Sequence, residues 1–326
     1  LLVTDLARTS AYACGTGRDI FALWGYFPCQ MMFKLREMKA PTTYEEQLEK
    51  FKNRKMTIEN DVEAISILKR IHYYRFTAYA LTFKQDTSDN YIEGTTFNKV
   101  YKHYLFDAAL RNHFMKIVEY IEIALRSQIS YKLAHKYGAL GYTNAANFSK
   151  IQFHQRFMED LQKCIQKQHK EVLIAHHREN YQDRYPIWAA FEVSTISMMS
   201  SLYKNLKTSD KKSIDREYYP SPNISYRELE NWFHVLTVFR NRCAHYSRLF
   251  NYRIPVTIRY TRNDELLGLD KAFLFGAIYN AKYLIKDRTI WDSWVTELSS
   301  LIEAYTIVDI SLLGFPTNWE HLLRKQ

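Results

Sequence analysis

The chain has 326 residues, 47% hydrophobic and 25% charged, proportions that fit a globular protein with a sizeable core. Only 9 Gly and 7 Pro argue against a turn-dense β-sandwich, and four cysteines with no CxxC pair exclude a disulfide framework and argue against structural zinc. A formal charge of +10 with 25 Tyr points toward a polyanionic partner such as nucleic acid, and no apolar run approaches the ~20 residues that cross a bilayer.

Residues 1–37 hold Cys14 and Cys29 and show no sustained apolar period. They lack the basic start and apolar block of a secretory signal. This stretch reads as a non-native or disordered extension, with Met31, Met32 or Met38 as the natural start. Residues 38–326 read as a single all-α domain, and the sparse cysteines suit a reducing cytoplasm.

In APTTYEEQ, Thr43 is an N-cap with Glu46 three residues on, a capping box that opens the first helix. The run DVEAISILKRIHYYRFTAYALTF carries apolar residues too densely for one exposed face, so one central helix is expected there. KQDTSDNYIEG is a polar loop, after which Thr95 or Thr96 caps a long helix from Phe97 to about Tyr137. Within it Phe114, Val118, Ile121, Leu125 and Ile129 form one apolar stripe. Glu119, Glu122 and Arg126 lie together on its flank, spanning about 60° at 100° per residue. Glu122 and Arg126 form an i,i+4 pair in the favourable order, which serves a boundary salt bridge or a site equally well.

KYGALGYTNAANF reads as a loop, followed by one polar helix over about Ser149 to Asn180. Its adjacent His176 and His177 point apart on a helix and make a poor metal site. Pro186 suits a first helical turn in RYPIWAAFEV, and KTSDKKSIDREYYPSPN looks like a linker with tyrosine anchors. Ser225 and Glu228 then form a second capping box, with Ile224 and Leu229 as a hydrophobic staple. Leu229, Trp232, Phe233, Leu236, Phe239 and Cys243 give this helix a strong apolar face. Arg227 and His234 lie on the opposite side and read as solvent-facing. After Asn251, RIPVTIRYTRN is at most a short extended segment near 253–260, since Pro255 stops a helix. Helical pattern returns in KAFLFGAIYNAKYLIK and DSWVTELSSLIEAY and runs to the C-terminus.

The end of the capped helix, VFRNRCAHYSR, holds the densest chemistry. Arg240 falls on the core-facing side and needs partners there, because a buried unpaired charge is costly. His245 lies five residues on, roughly 140° around the cylinder. One ideal helix cannot aim both at one phosphate. Either the helix ends between them, or the pair works with another helix or another subunit. Cys243 belongs to the apolar stripe and reads as structural rather than nucleophilic. No Gly-rich phosphate loop, GxSxG elbow or paired metal-ligand motif is present.

FRNRCAHYSRLFN resembles the RN-x-x-AH-x-SRLWN signature of the Abi family of bacterial abortive-infection proteins, of the AbiD/AbiF type. The resemblance extends through TYEEQ, IHYYRFTAY, GTTFNKVYKHYLFDAALR, IEIALRSQISYKLAHKYG and PIWAAFEV, covering nearly everything from about residue 40 onward. Tyr246 stands where a second His is common in the family, and Phe250 where Trp is common. The family in turn resembles HEPN-domain ribonucleases, so the resemblance implies a HEPN-like helical bundle with additional helices. It implies metal-independent RNA cleavage without a cofactor, usually at a homodimer interface. His245 would move protons, Arg240 would stabilise charge on the phosphorane, and Asn241 would orient the His or the phosphate. Glu122, Arg126, Glu119 and Arg248 would line or support the site. RNA is then the implied partner, as substrate or, in the alternative, as a small regulatory RNA held by a non-catalytic module. No membrane partner is implied.

Overall fold

A computed structural model describes residues 40–86 and 88–325; the N-terminal extension expected over 1–37 lies outside them. Helix α1 (Tyr44–Lys52) opens on the expected capping box, in which Thr43 N–H donates to the Glu46 carboxylate at 2.8 Å and Glu46 N–H to the Thr43 hydroxyl at 3.1 Å.

The next apolar run is two helices rather than one, α2 (Asp61–Arg70) and α3 (Tyr73–Ala80). Between them Ile71 is extended and the His72 ring accepts from Tyr74 N–H at 3.3 Å, a side-chain cap in mid-run. The break gives each piece its own buried face: Ala64, Ile67 and Leu68 on α2, Phe76 and Tyr79 on α3. Two faces read as one explain the apparent density, and Tyr74 is left 74% exposed.

The central element is α4 (Phe97–Tyr137), 41 residues and roughly 60 Å long. Thr96 caps its start by accepting from Lys99 N–H at 3.1 Å, no Gly or Pro interrupts it, and Gly138 at φ +82° ends it. All five expected stripe residues, Phe114 to Ile129, are buried. The polar helix expected over 149–180 is likewise split, into α5 (Ile151–Lys167) and α6 (Val172–Tyr181). Two short helices follow, α7 (Ile187–Glu192), with Pro186 just ahead of its first turn, and α8 (Ile196–Asn205), capped by Thr195.

The expected linker contains a helix, α9 (Thr208–Tyr218). It is polar outside, but Asp210 is buried against Lys136 and accepts from the Tyr137 hydroxyl at 2.9 Å, so distant charges on α4 hold it. Tyr219 is buried and donates to Gln128 at 2.7 Å, as the anchoring role required. The second capping box starts α10 (Tyr226–Ala244), and both staple residues, Ile224 and Leu229, are buried. Residues 253–260 form no strand; Ile254 and Ile258 each donate one backbone bond to the 271–272 segment.

The chain closes with α11 (Leu274–Leu284), α12 (Arg288–Ala304) and α13 (Trp319–Arg324). Helix α12 is clipped to α4: Trp294 indole donates to His113 carbonyl, and the His113 ring bonds the Trp294 carbonyl, each at 2.9 Å. Around α4 pack α3, α7, α8, α9, α10, α11 and α12, making it the axis of an all-α bundle. No helix among the described residues is long and apolar enough to cross a membrane.

One lysine in this bundle carries a pH signature. Burial pushes Lys282 of α11 down to about 8, and its ammonium sits 3.7 Å from the centre of the Tyr279 ring. Between pH ~8 and the unfolded lysine value of ~10.4, the unfolded chain binds a proton that the folded chain lacks. Lys282's own contribution to stability therefore rises with pH across that window, opposed from pH ~8.5 by Cys243 and near pH ~10 by tyrosines, which ionise first in the unfolded chain. Thermal unfolding of wild type and Lys282→Met from pH 7 to 9.5 checks this: the difference between the two moves in favour of wild type as pH rises, and a difference that stays constant contradicts it.

Candidate functional site

Helix α10 stays regular to Ala244, and His245 caps it with its N–H on the Asn241 carbonyl at 3.0 Å. The helix thus ends between Arg240 and His245, but only one residue before the histidine, so the offset of roughly 140° carries over to the cap position.

Beyond the cap the chain turns sharply. Tyr246 has φ +55°, its N–H donates to Cys243 carbonyl at 3.0 Å, and Ser247 N–H donates to Arg242 carbonyl at 2.8 Å. This is a Schellman closure, with tyrosine where glycine is the unstrained choice, at a cost of about 1–2 kcal/mol. The departure at Tyr246 thus falls on the left-handed position, with the side chain 69% exposed.

Side chains fix this turn from several directions. Arg75 of α3 donates to the Tyr246 carbonyl at 2.6 Å, and Arg248 donates to the Ala78 carbonyl at 2.5 Å. Arg242 donates to the Arg248 carbonyl at 2.6 Å while stacking 3.4 Å from the centre of the Tyr252 ring. Below lies Asp107 of α4, fully buried and ion-paired with Arg111. Its carboxylate accepts from Leu249 N–H at 3.1 Å, Phe250 N–H at 2.8 Å and the Tyr79 hydroxyl at 2.6 Å. Burial pushes the Asp107 carboxyl above its ordinary range, while these donors and Arg111 pull it down.

His245 itself is exposed, and its ring has no hydrogen-bond, ionic or ring partner among the described residues. Cys243 is buried and its thiol is pushed up to about 12, which removes it as a nucleophile at neutral pH.

On the α4-facing side of α10, Glu122 accepts from Arg126 at 2.5 Å and lies 3.8 Å from Arg240 Nε. Two guanidiniums thus bracket one carboxylate that is only 10% exposed. The Nε atoms of both Arg126 and Arg240 are buried without a hydrogen-bond acceptor. An excess of positive charge and orphaned donors suits a further anionic oxygen. Asn241 accepts from Arg240 at 3.4 Å and donates to Ser197 of α8 at 3.2 Å; its side chain is tied to Arg240, not to the imidazole. Arg126 also lines a cleft of about 270 Å³ with Tyr131, His135, Trp188 and Glu192, and Trp188 is 54% exposed.

Arg240, Asn241, Glu122 and Arg126 therefore come together, whereas Glu119 is exposed and makes no ion pair among the described residues. Arg248 braces the turn from below and does not reach Glu122. Arg75, Tyr79, Asp107 and Arg111 went unassigned in the sequence. The legible signal was Asp107 with Arg111 at i+4, two charges in line with the apolar stripe of α4. His176 and His177 form no metal cluster, and no group of three or more candidate metal ligands occurs among the described residues.

A family model described as Abi-like protein matches residues 66–251, more than half of the chain and every candidate site residue above. No curated protein and no solved structure matches the chain.

Proposed function

The chain belongs to the Abi-like protein family, a membership that supports a role in phage defence by abortive infection, and within that role we propose that it cuts RNA without a metal. The observation that carries this reading is an exposed His245, without a side-chain partner among the described residues, on a turn braced by Arg75 and followed by a segment held on buried Asp107. A proton carrier needs that combination of access and fixed position. In the reaction a ribose 2′-oxygen forms a bond to the adjacent phosphorus as the bond to the 5′-oxygen breaks. His245 takes the 2′-hydroxyl proton, and the 5′-oxygen leaves with a proton from imidazolium or water. The products are a 2′,3′-cyclic phosphate and a 5′-hydroxyl end. Arg240 supplies donors for the phosphorane, with Glu122, itself anchored by Arg126, beside its guanidinium and Asn241 fixing its near edge. Exposed Trp188 and Tyr131 beside Arg126 offer faces on which unpaired bases stack.

Because α10 stays helical until one residue before His245, which keeps the two side chains apart around its axis, the reading includes a second copy: His245 of one protomer meets Arg240 of the other in a homodimer. Mixing Arg240→Ala with His245→Ala protein tests this. Each alone is inactive; after subunit exchange, half of the dimers carry one intact site of two, restoring about a quarter of wild-type cleavage. A mixture as inactive as its components would place both residues in one protomer's site.

The same offset favours an alternative, a module that holds a small regulatory RNA without cutting it. Its marker is intact co-purifying RNA together with a His245→Ala protein that keeps full protection against phage.

A further inference from the structure

The Arg227 and His234 pair, solvent-facing by helix geometry, lines the wall of a second cavity. This pocket, about 580 Å³, lies between α8, the first turns of α10 and the segment 256–259. Three cations face it from three different elements: Lys204 from α8, Arg227 from α10 and Arg259 from the extended segment. None of the three is ion-paired among the described residues. The one carboxylate in the wall, Glu230, is engaged by Lys211 at 2.9 Å. Burial against the wall and then the charge of Lys204 hold His234 below the ordinary histidine range. Its ring adds nitrogen hydrogen-bonding positions among these cations.

The pocket is built rather than incidental. Asn231 grips the extended segment twice, donating to Thr257 carbonyl at 3.0 Å and accepting from Arg259 N–H at 2.8 Å. The Arg259 carbonyl in turn accepts from Trp232 indole at 2.8 Å and Asn280 at 2.9 Å. Three side chains, Asn231, Trp232 and Asn280, thus fix the backbone of a residue whose charged head faces the cavity.

Position connects this pocket to the site. Arg227, His234, Asn241 and His245 recur at spacings of 7, 7 and 4, which at 100° per residue keeps them within about 40° on α10. Opposite them, Ser197, which bonds Asn241, is followed on α8 by Ser201 and Lys204 at i+4 and i+7. The pocket, the Asn241–Ser197 contact and His245 therefore follow one another along the side of α10 that faces α8. His234 and His245 are eleven residues apart, roughly 16 Å along the axis.

We propose that the pocket between α8 and α10 is a phosphate-binding site that grips the backbone of a single RNA strand about five stacked nucleotides from His245. Lys204, Arg227 and Arg259 bind phosphodiester oxygens, and His234 with Ser201 completes the donor set. That the strand continues to a cleavage site rests on the reading above; the anion pocket itself does not.

The test measures binding of a 20-nucleotide single-stranded RNA to full-length His245→Ala protein, with and without Lys204→Gln, Arg227→Gln and Arg259→Gln together. Losing three phosphate contacts lowers affinity at least tenfold and makes the log–log salt slope shallower by about 2, at ~0.7 per single-strand phosphate. All three side chains are exposed, so the melting temperature stays put and confirms folding. Unchanged affinity and slope overturn the pocket, and they do so whether or not His245-dependent cleavage exists. Adenosine monophosphate is the second arm. If it binds as tightly as the RNA and displaces it, the pocket serves a free nucleotide and the strand assignment falls. Millimolar or weaker binding supports the strand.

Discussion

His245→Ala lowers RNA cleavage by about 10²–10⁴-fold, the usual share of a positioned proton carrier, and leaves the melting temperature unchanged. The second half of that result is what makes the first informative. The imidazole is exposed and bonds nothing among the described residues, so its removal stays within about 0.5 kcal/mol of wild type. The helix end survives, because the closure of α10 uses backbone groups of residues 241–247 and not the ring. A His245→Ala protein that melts normally yet cleaves at the wild-type rate would remove His245 from the chemistry. Arg240→Lys behaves differently: it keeps a charge near Glu122 but loses the planar fork, so cleavage falls while folding changes little.

Asp107→Ala produces the largest loss of stability expected from any single change near the site. It removes at once the counter-charge of Arg111, the acceptor for the Tyr79 hydroxyl and the acceptor for two buried backbone N–H groups. Breaking a buried pair and stranding its partners costs about 3–5 kcal/mol. For a chain of this size that corresponds to a fall in melting temperature of roughly 4–7 °C. Asp107→Asn falls between, since its carbonyl still accepts but the charge opposite Arg111 is gone. Cleavage drops with Asp107→Ala even well below its melting temperature, because the turn behind His245 loses its floor. A variant within 0.5 kcal/mol of wild type by denaturant unfolding would contradict the bracing role.

How much of this was legible depended on how local the deciding chemistry was. The starts of α1, α4 and α10 could be read because Thr43 with Glu46, Thr96, and Ser225 with Glu228 act within one turn. The breaks at Ile71–His72 and around Gln168–Glu171 carry neither Gly nor Pro, so each pair of helices looked like one. Helix α9 looked like a linker because the groups that hold Asp210 and Lys211 come from α4 and α10, far away in sequence. At the site, helix faces left the Glu122–Arg126 pair open between a boundary salt bridge and a site, and only the family resemblance set it beside Arg240, where it lies. The role of Asp107 did not, since nothing local says that it faces residues 249–250. Arg227 and His234 were rightly placed on the outer side of α10. That this side has a wall opposite it depends on α8 and Arg259, which periodicity along one helix cannot show.

The most direct test of the central claim is to map the ends of RNA incubated in EDTA with full-length protein purified from phage-infected cells. The account predicts fragments with 5′-hydroxyl and 2′,3′-cyclic phosphate ends, absent when His245→Ala protein is used. Intact RNA with wild-type protein, or fragments ending in 5′-phosphate, would contradict it.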